Sequence, residues 1–183
     1  MEKVKNPTYS IKQIKNRGEI TPEVMQSLVD LLQNAVSNNY AVGFMNDSSK
    51  ADFIKFWNEE FDEIGDSSAI FLALNNNNVL GSVILSGESR ANGRHRAEFR
   101  KLLVHSKSQN QGIGSALEKA ATEYARATGV LLLYLDSATD FLVEGVYEKW
   151  GWKKSGEIPD YARNPDGKLV STWFFYKQLT GDK

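Results

Sequence analysis

The chain has 183 residues, of which 41% are hydrophobic and 25% charged, an ordinary composition for a single folded domain with a substantial core. A formal net charge of −1, the lack of any apolar run of membrane-spanning length and an N-terminus without a signal-peptide core favour a cytoplasmic enzyme or binding protein, with no nucleic-acid or membrane partner. Cysteine is absent, which excludes disulfides and a cysteine nucleophile, and a metal site is not expected with His95 and His105 as the only histidines.

The first half of the chain predicts a strand, two helices and a hairpin. Thr21-Pro22-Glu23 marks a helix start, because a capping hydroxyl precedes a proline at the first helical position. Four asparagines, residues 75–78, tolerate left-handed backbone and predict a tight turn. In chain order, the predicted elements are an edge strand over 8–15, a helix over 21–36, a loop over 37–47, a helix over 49–64, and strands over 67–74 and 79–86.

The second half predicts alternating strands and helices. Residues 130–135 form an almost unbroken apolar run, which is typical of a strand covered on both faces. With the strand and helix before it, this run predicts a right-handed parallel crossover. The predicted elements are strands over 98–104 and 130–135, helices over 113–128 and 141–150, and final strands over 152–158 and 172–179, joined by a loop over 159–168. No internal repeat or linker divides residues 1–183, so one mixed α/β domain is expected, with its core over about 8–180.

A glycine-containing loop joins the strand that ends at Val104 to the helix that begins at Ile113. A strand, a glycine loop and a helix start together direct unpaired backbone N–H groups and the positive end of a helix dipole at one point, which suits a phosphate or pyrophosphate. The spacing Gln-x-x-Gly-x-Gly over residues 109–114 resembles that of the GCN5-related N-acetyltransferases, which hold the pyrophosphate of acetyl-CoA in this way.

The order of the predicted elements is also that of this acetyltransferase fold, in which a mixed, mostly antiparallel sheet of about seven strands carries four helices, and strands four and five are parallel and splayed. Within the superfamily the chain looks most like the tabtoxin-resistance acetyltransferases, which acetylate a small β-lactam amino acid. The motifs that carry this likeness are Val42-Gly43-Phe44-Met45, Arg96-Ala97-Glu98, residues 109–114, Leu133-Tyr134-Leu135-Asp136 and Pro165-Asp166-Gly167.

The resemblance implies a role for each matching position. Glu98 and Asp136 would be the catalytic carboxylates, and Tyr147 would face the sulfur of CoA. Phe44, Met45 and Tyr161 are candidate substrate-binding residues, the first two from an apolar loop that would line the substrate pocket if it is exposed. The expected acetyl-CoA contacts are Leu103 and Val104 for the pantetheine arm and Gln109, Asn110, Gln111, Gly112, Ile113, Gly114 and Ser115 for the pyrophosphate.

The chain departs from the family pattern in its pyrophosphate loop. Many relatives have arginine where this chain has Gln109 and Gln111. Pyrophosphate binding would then depend on N–H donors, the helix dipole and Lys107, with weaker affinity expected for the cofactor.

The implied residues also have structural explanations that the sequence leaves open. Glu98, with arginines on both sides of it, is by itself better explained as a solvated, ion-paired strand residue, and Asp136 is also explained as a cap at the end of a strand. Tyr147 lies at helical spacing from Trp150 and would fit in the core. The order and spacing of all these motifs together favour acetyl-CoA binding.

The expected activity is direct transfer of the acetyl group to a primary amine of a small amino-acid-like metabolite, toxin or antibiotic, by a monomer or homodimer. A carboxylate would act as general base, and no covalent enzyme intermediate would form. The alternatives are acetylation of a protein or peptide, and a non-catalytic acetyl-CoA sensor. A P-loop enzyme is disfavoured because no lysine follows Gly114, and a Rossmann fold because the glycine motif comes late in the chain.

Overall fold

The computed structural model describes residues 9–65, 68–139 and 144–179. Short 3-10 turns at Arg17–Glu19 and Ser106–Ser108 accompany the main elements. In chain order these are β1 (Ser10–Ile14), α1 (Pro22–Ser37), α2 (Lys50–Asp62), β2 (Ser68–Asn75), β3 (Asn78–Gly87), β4 (Arg96–Val104), α3 (Ile113–Ala127), β5 (Leu132–Ala138), α4 (Glu144–Lys149), β6 (Lys153–Arg163) and β7 (Leu169–Gln178).

The local signals for the first helices and the hairpin are confirmed. Thr21 Oγ1 accepts a hydrogen bond from the Val24 N–H at the start of α1. Ser49 and Asp52 form a reciprocal capping box at the start of α2. Asn76 lies in the left-handed region with a φ of 53°, as a tight turn between β2 and β3 requires.

The strands form one seven-stranded sheet in the order β1-β2-β3-β4-β5-β7-β6. All neighbours are antiparallel except β4 and β5, which are parallel and joined through α3. Their pairing covers only Arg96–Leu132, Ala97–Leu133 and Glu98–Tyr134, although both strands continue beyond it. Strands four and five therefore separate in the middle of the sheet, as the resemblance implied.

Helices cover the two faces of the sheet unequally. The α3 layer packs on β2, β3, β4, β5 and β7 and forms one core cluster. On the opposite face, α1 and α2 pack on β1 to β4 in a second cluster, which contains no residue of β5, β6 or β7. That half of the sheet has an open face next to α2, among the residues that the structure describes.

Two predictions about the second half are wrong. The strand predicted over 130–135 is covered on one face only: Leu133 and Leu135 are buried, whereas Tyr134 is 36% exposed. Residues 159–168 are not one long loop, because β6 continues to Arg163 and β7 begins at Leu169. β6 is an edge strand, so it accommodates a proline and an irregular pairing with β7 between Ile158 and Ala162. The first residues of the helix predicted over 141–150 lie outside the described residues.

Candidate active site

A cleft with a volume of about 980 Å³ lies where β4 and β5 separate. It extends from the glycine loop before α3 along β4 to the loop that follows α1. Residues from three predicted groups line it: the acetyl-CoA contacts Leu103, Val104, Gln109, Asn110, Gly112, Ile113, Gly114 and Ser115, the carboxylates Glu98 and Asp136, and Tyr147. Distant parts of the sequence thus meet in one space.

A bulge in β4 gives the cleft its shape. Ser82 pairs with Leu103 and Ile84 with Arg100, so β4 carries one extra residue relative to β3. Lys101 occupies that position with a left-handed φ of 53°. The hydroxyl of Ser82, which is fully buried, donates a hydrogen bond of 3.1 Å to the carbonyl oxygen of Lys101.

The bulge reverses which side chains of β4 face each layer. Phe99 packs in the α3 layer before the bulge, whereas Leu102 and Val104 pack there after it. Arg100 and Lys101 consequently both face α2: Arg100 pairs with a glutamate of that helix, and the Lys101 ammonium lies 5.5 Å from the centre of an α2 phenylalanine ring. Two consecutive cations therefore lie on one face of the strand.

The loop before α3 presents a row of unused N–H donors. Asn110 and Gly112 have left-handed φ angles of 60° and 78°, and the first hydrogen bond of α3 runs from the Ala116 N–H to the Gly112 carbonyl. Within the described part of the chain, no backbone N–H of residues 109–115 donates a hydrogen bond. Because these donors and the α3 dipole converge on the cleft, the loop can hold a pyrophosphate without a cationic side chain.

Two carboxylates occupy the open face of the sheet at the separation of the strands. Glu98 pairs in register with Tyr134, and Asp136 follows two residues later on β5, so both carboxylates lie on the same face. Asp136 is accessible from the cleft, but partial burial raises the pKa of its carboxyl group, while the positive charge of Lys101 opposes that rise. A raised pKa makes a carboxylate a better proton acceptor near neutral pH.

The arginines on either side of Glu98 pair with other residues. Arg96 forms an ion pair of 3.3 Å with Glu88, and Arg100 forms one of 2.7 Å with Glu60, which is only 8% exposed. Within the described residues, Glu98 makes no ion pair, so the solvated, ion-paired explanation of this residue is not supported.

Tyr147 lies on the opposite side of the opening, in the α3 layer. Its ring contacts those of Trp150, Trp152 and Phe175, at centroid distances of 5.8, 6.0 and 5.3 Å, and it is 8% exposed. Burial raises the pKa of its phenol, and the charge of Asp136 adds to that rise. Tyr147 is thus both a core residue and a cleft residue, with a hydroxyl that stays protonated at neutral pH and makes no hydrogen bond to the described part of the chain.

A buried polar cluster fixes the aromatic wall behind Tyr147. Glu118 of α3 is 5% exposed and accepts hydrogen bonds from Trp152 Nε1 at 3.0 Å and Thr122 Oγ1 at 2.9 Å. Lys177 completes the cluster with an ion pair of 2.8 Å to the same carboxylate. The charge of the buried glutamate is therefore balanced by Lys177, and all three donors bind its Oε1 oxygen, which indicates a structural role.

Two loops join at one end of the cleft. The Asn46 N–H donates to the carbonyl oxygen of Pro165 at 3.2 Å, and the Asp166 N–H donates to Asn39 Oδ1 at 3.1 Å. These bonds connect the loop between α1 and α2 with the turn between β6 and β7. Val42, from the first of these loops, lines the cleft nearby.

Several predicted site residues lie away from the cleft lining. Phe44 packs edge-on against Phe53 and Phe56, at ring distances of 5.0 and 5.6 Å, and anchors its loop to α2. Tyr161 is 54% exposed and packs against Phe174 on the open face. The structure does not bring Phe44, Met45, Tyr161 or Gln111 to the cleft surface, where Tyr40, Ala41 and Val42 are found instead.

Lys101 lines the cleft but is not among the site residues predicted from the sequence. The sequence contains a signal for it, because apolar and polar residues no longer alternate in Phe99-Arg100-Lys101-Leu102-Leu103. Such a break indicates a bulge, and the residue at a bulge is redirected relative to its neighbours. The pairing of Ser82 with the Lys101 carbonyl, in contrast, has no signal in the sequence.

The chain is similar to known acetyltransferases in sequence and in fold. The model of the acetyltransferase (GNAT) family matches residues 28–152, which include β4, the glycine loop, α3 and β5. The chain belongs to the GNAT acetyltransferase family. Its mixed α/β fold, its enzymatic class and its use of acetyl-CoA follow from that membership.

Solved structures share the fold at low sequence identity. An N-acetyltransferase from Staphylococcus aureus Mu50 superposes with a TM-score of 0.76 at 16% identity, covering 93% of this chain and 99% of that one. A ribosomal-protein-alanine N-acetyltransferase from Brucella melitensis gives 0.75 at 18% identity, covering 92% and 99%. The candidate acetyltransferase yncA from Salmonella typhimurium, solved with its cofactor acetyl-CoA, gives 0.73 at 14% identity, covering 96% of each chain.

Among residues 9–65, 68–139 and 144–179, no group of three or more histidine, aspartate or glutamate side chains could hold a metal ion. None of the described helices has both the length and the apolar character needed to cross a membrane.

Proposed function

We propose that the chain acts as a single acetyltransferase domain that transfers the acetyl group of acetyl-CoA directly to a primary amine of a small amino-acid-like metabolite, toxin or antibiotic. The observation that carries this proposal is the position of Glu98 and Asp136 on one face of the separated strands, in the same cleft as the donors of residues 109–115. Acid–base groups and an anion-binding loop thereby share one space.

Acetyl-CoA, when bound, supplies the acetyl thioester. The N–H groups of residues 109–115 would hold its pyrophosphate, and the edge of β4 left unpaired at Leu103 and Val104 would bind the pantetheine arm as an added strand. A backbone N–H on that edge would donate to the acetyl carbonyl oxygen and stabilise the negative charge that develops there. The cleft contains the donors that this cofactor requires.

The carboxylates and the phenol would move the two protons of the reaction. An acceptor amine is mostly protonated at neutral pH, and either Glu98 or Asp136 would take the proton that prevents its attack. Tyr147, on the other side of the opening, would donate its phenol proton to the departing thiolate of CoA. Each such transfer contributes typically about 10²–10⁴ to the rate.

A small acceptor is favoured by the two loops that join at the cleft. Their hydrogen bonds, from Asn46 to Pro165 and from Asp166 to Asn39, close one end where an extended peptide would need an open groove. The resemblance to the tabtoxin-resistance enzymes supports the same class of acceptor, since the two carboxylates that carry it both line the cleft.

The test is release of CoA thiol from acetyl-CoA, followed with a thiol reagent, over a panel of amines, amino acids and short peptides. The chain has no cysteine, so the protein contributes no background signal. Amine-dependent release that falls at least about 100-fold in Glu98→Gln or Asp136→Asn would support the proposal. A peptide acetylated faster than every small amine, or acetyl-CoA binding without any release, would contradict it.

A further inference from the structure

Lys101 brings a cation into the part of the cleft that contains Glu98 and Asp136, where the acceptor amine would bind. Its ammonium nitrogen lies 5.5 Å from the centre of the Phe56 ring, and a Cβ built on Gly43 would be 3.8 Å from the same nitrogen. The ammonium group thus lies between β4, α2 and the loop after α1. It is on the same face as Glu98 and Asp136, because the bulge turns Lys101 to that side.

This cation has no anionic partner at contact distance. Within the described residues, no carboxylate lies within 4.0 Å of the Lys101 ammonium, whereas its neighbour Arg100 is paired with Glu60 at 2.7 Å. Burial lowers the pKa of Lys101, and the charge of Arg100 lowers it further, while the carboxylates of Glu60, Asp136 and Glu98 oppose this effect. A half-buried ammonium group with no salt-bridge partner is costly unless a ligand provides an anion.

We propose that Lys101 binds the carboxylate of an α-amino-acid acceptor and so makes the enzyme specific for amines that carry a free carboxylate. This inference rests on the proposed function and adds the class of acceptor. The amino group of such a zwitterion would face Glu98 and Asp136, while its carboxylate would pair with Lys101. The charges on this face of the cleft are then opposite to those at both ends of the ligand.

The same charges disfavour other amines. A polyamine or an amino-acid amide would leave Lys101 without a partner, and a second cationic group on the ligand would be repelled by it. Two carboxylates alone would favour any cation, so the lysine is the group that separates amino acids from simple amines. Arg100 does not serve this purpose because Glu60 already neutralises it.

The experiment compares each standard L-α-amino acid with its amide and with its decarboxylated amine, using acetyl-CoA and thiol release. Wild-type protein should use the amino acid with a kcat/KM at least about tenfold above that of the matched amide. In Lys101→Met this preference should disappear, because kcat/KM for the amino acid should fall about tenfold or more relative to that for the amide. Lys101→Arg should restore part of the preference because it restores the charge.

A binding measurement separates this inference from the proposed transfer. Calorimetry on protein saturated with CoA should give a Kd for the amino acid that rises about tenfold or more in Lys101→Met. Lys55→Met is the matched control, since Lys55 is a 75% exposed lysine of α2, and neither kinetics nor binding should change. Thermal unfolding should show that Lys101→Met is at least as stable as wild type, because it removes a partly buried charge.

Each result has a defined consequence. If Lys101→Met lowers kcat/KM equally for the amino acid and its amide, the inference is overturned and the proposed function stays intact. The same holds if wild-type protein does not prefer the amino acid to its amide. Lysine-dependent binding of the amino acid without any thiol release supports the inference and overturns the proposed transfer. Neither binding nor release with any member of the panel overturns both.

Discussion

The hydroxyl of Ser82 on β3 donates a hydrogen bond of 3.1 Å to the carbonyl oxygen of Lys101, at the bulge of β4. Ser82 is fully buried, and this bond satisfies both its hydroxyl and a carbonyl that the bulge removes from the regular ladder. One residue of β3 thus stabilises the left-handed conformation of Lys101, on which the proposed binding of the acceptor carboxylate depends.

Substitution of Ser82 should affect both stability and catalysis. In Ser82→Ala the Lys101 carbonyl loses its donor, so the free energy of unfolding should fall by about 1–2 kcal/mol. The kcat/KM for acetyl transfer should fall as well, because the bulge becomes less well ordered. The control is Ser155→Ala, which removes a similar exposed bond to the Phe174 carbonyl, away from the cleft. Denaturant unfolding and steady-state kinetics test both variants, and unchanged kinetics in Ser82→Ala would contradict this role.

Left-handed glycines offer a matched test of the pyrophosphate loop. Gly112 and Gly129 have φ angles of 78° and 82°, so alanine at either position should cost about 1–2 kcal/mol. Only Gly112→Ala should weaken acetyl-CoA binding, because Gly129 lies beyond the far end of α3. Calorimetric titration with acetyl-CoA gives the Kd of each variant. Equal Kd values in the two variants would exclude the loop from cofactor binding.

The ionised carboxylate of Asp136 should destabilise the folded protein at neutral pH. Burial raises the pKa of its carboxyl group above the ordinary value of 3.8, so this group binds a proton more readily in the folded protein than in the unfolded chain. The stability that it contributes is present below the unfolded pKa and is lost as the pH rises through the folded pKa. Asp136→Asn should therefore unfold at a higher temperature than wild type at neutral pH, with the difference vanishing under acidic conditions. Its activity should be reduced at every pH, and a variant that is less stable at neutral pH would refute this electrostatic account.

Arg100 and Glu60 should make coupled contributions to the free energy of unfolding. Glu60 is 8% exposed and its pKa is raised by burial, so loss of its partner leaves a buried carboxylate uncompensated. Arg100→Met should cost about 3–5 kcal/mol, and Glu60→Gln in the same chain should recover a large part of that. A double-mutant cycle by urea unfolding measures the coupling. Additive losses would mean that the two residues do not depend on one another.

Tyr147→Phe should separate catalysis from packing. The hydroxyl makes no hydrogen bond to the described part of the chain, so its removal should change the free energy of unfolding by less than about 1 kcal/mol. The kcat for acetyl transfer should fall by about 10²–10⁴ if the phenol donates the proton to the thiolate. Phe175→Leu, which alters the same aromatic cluster, is the control for packing. A Tyr147→Phe variant with wild-type kcat would assign the phenol a structural role alone.

The sequence by itself determined most of the helices and strands and the glycine loop before α3. Helix caps, the asparagine turn and the glycines of residues 109–114 act through neighbouring residues, so their structures follow from local chemistry. The pairing of the last two strands was less predictable, because Pro159 and its neighbours have loop-forming character. Position at the edge of the sheet permits them in β6.

Only the tertiary structure decided which side chains face the cleft beside Glu98 and Asp136. β5 has the apolar composition of a strand buried on both faces, yet α1 and α2 cover only β1 to β4, and Tyr134 and Asp136 therefore face an open surface. The direction of Lys101 depends on one extra residue in β4 opposite β3, and on a hydroxyl nineteen positions away in the sequence. Pairing between distant segments determines both features, and in the sequence only the broken alternation of residues 99–103 indicates the bulge.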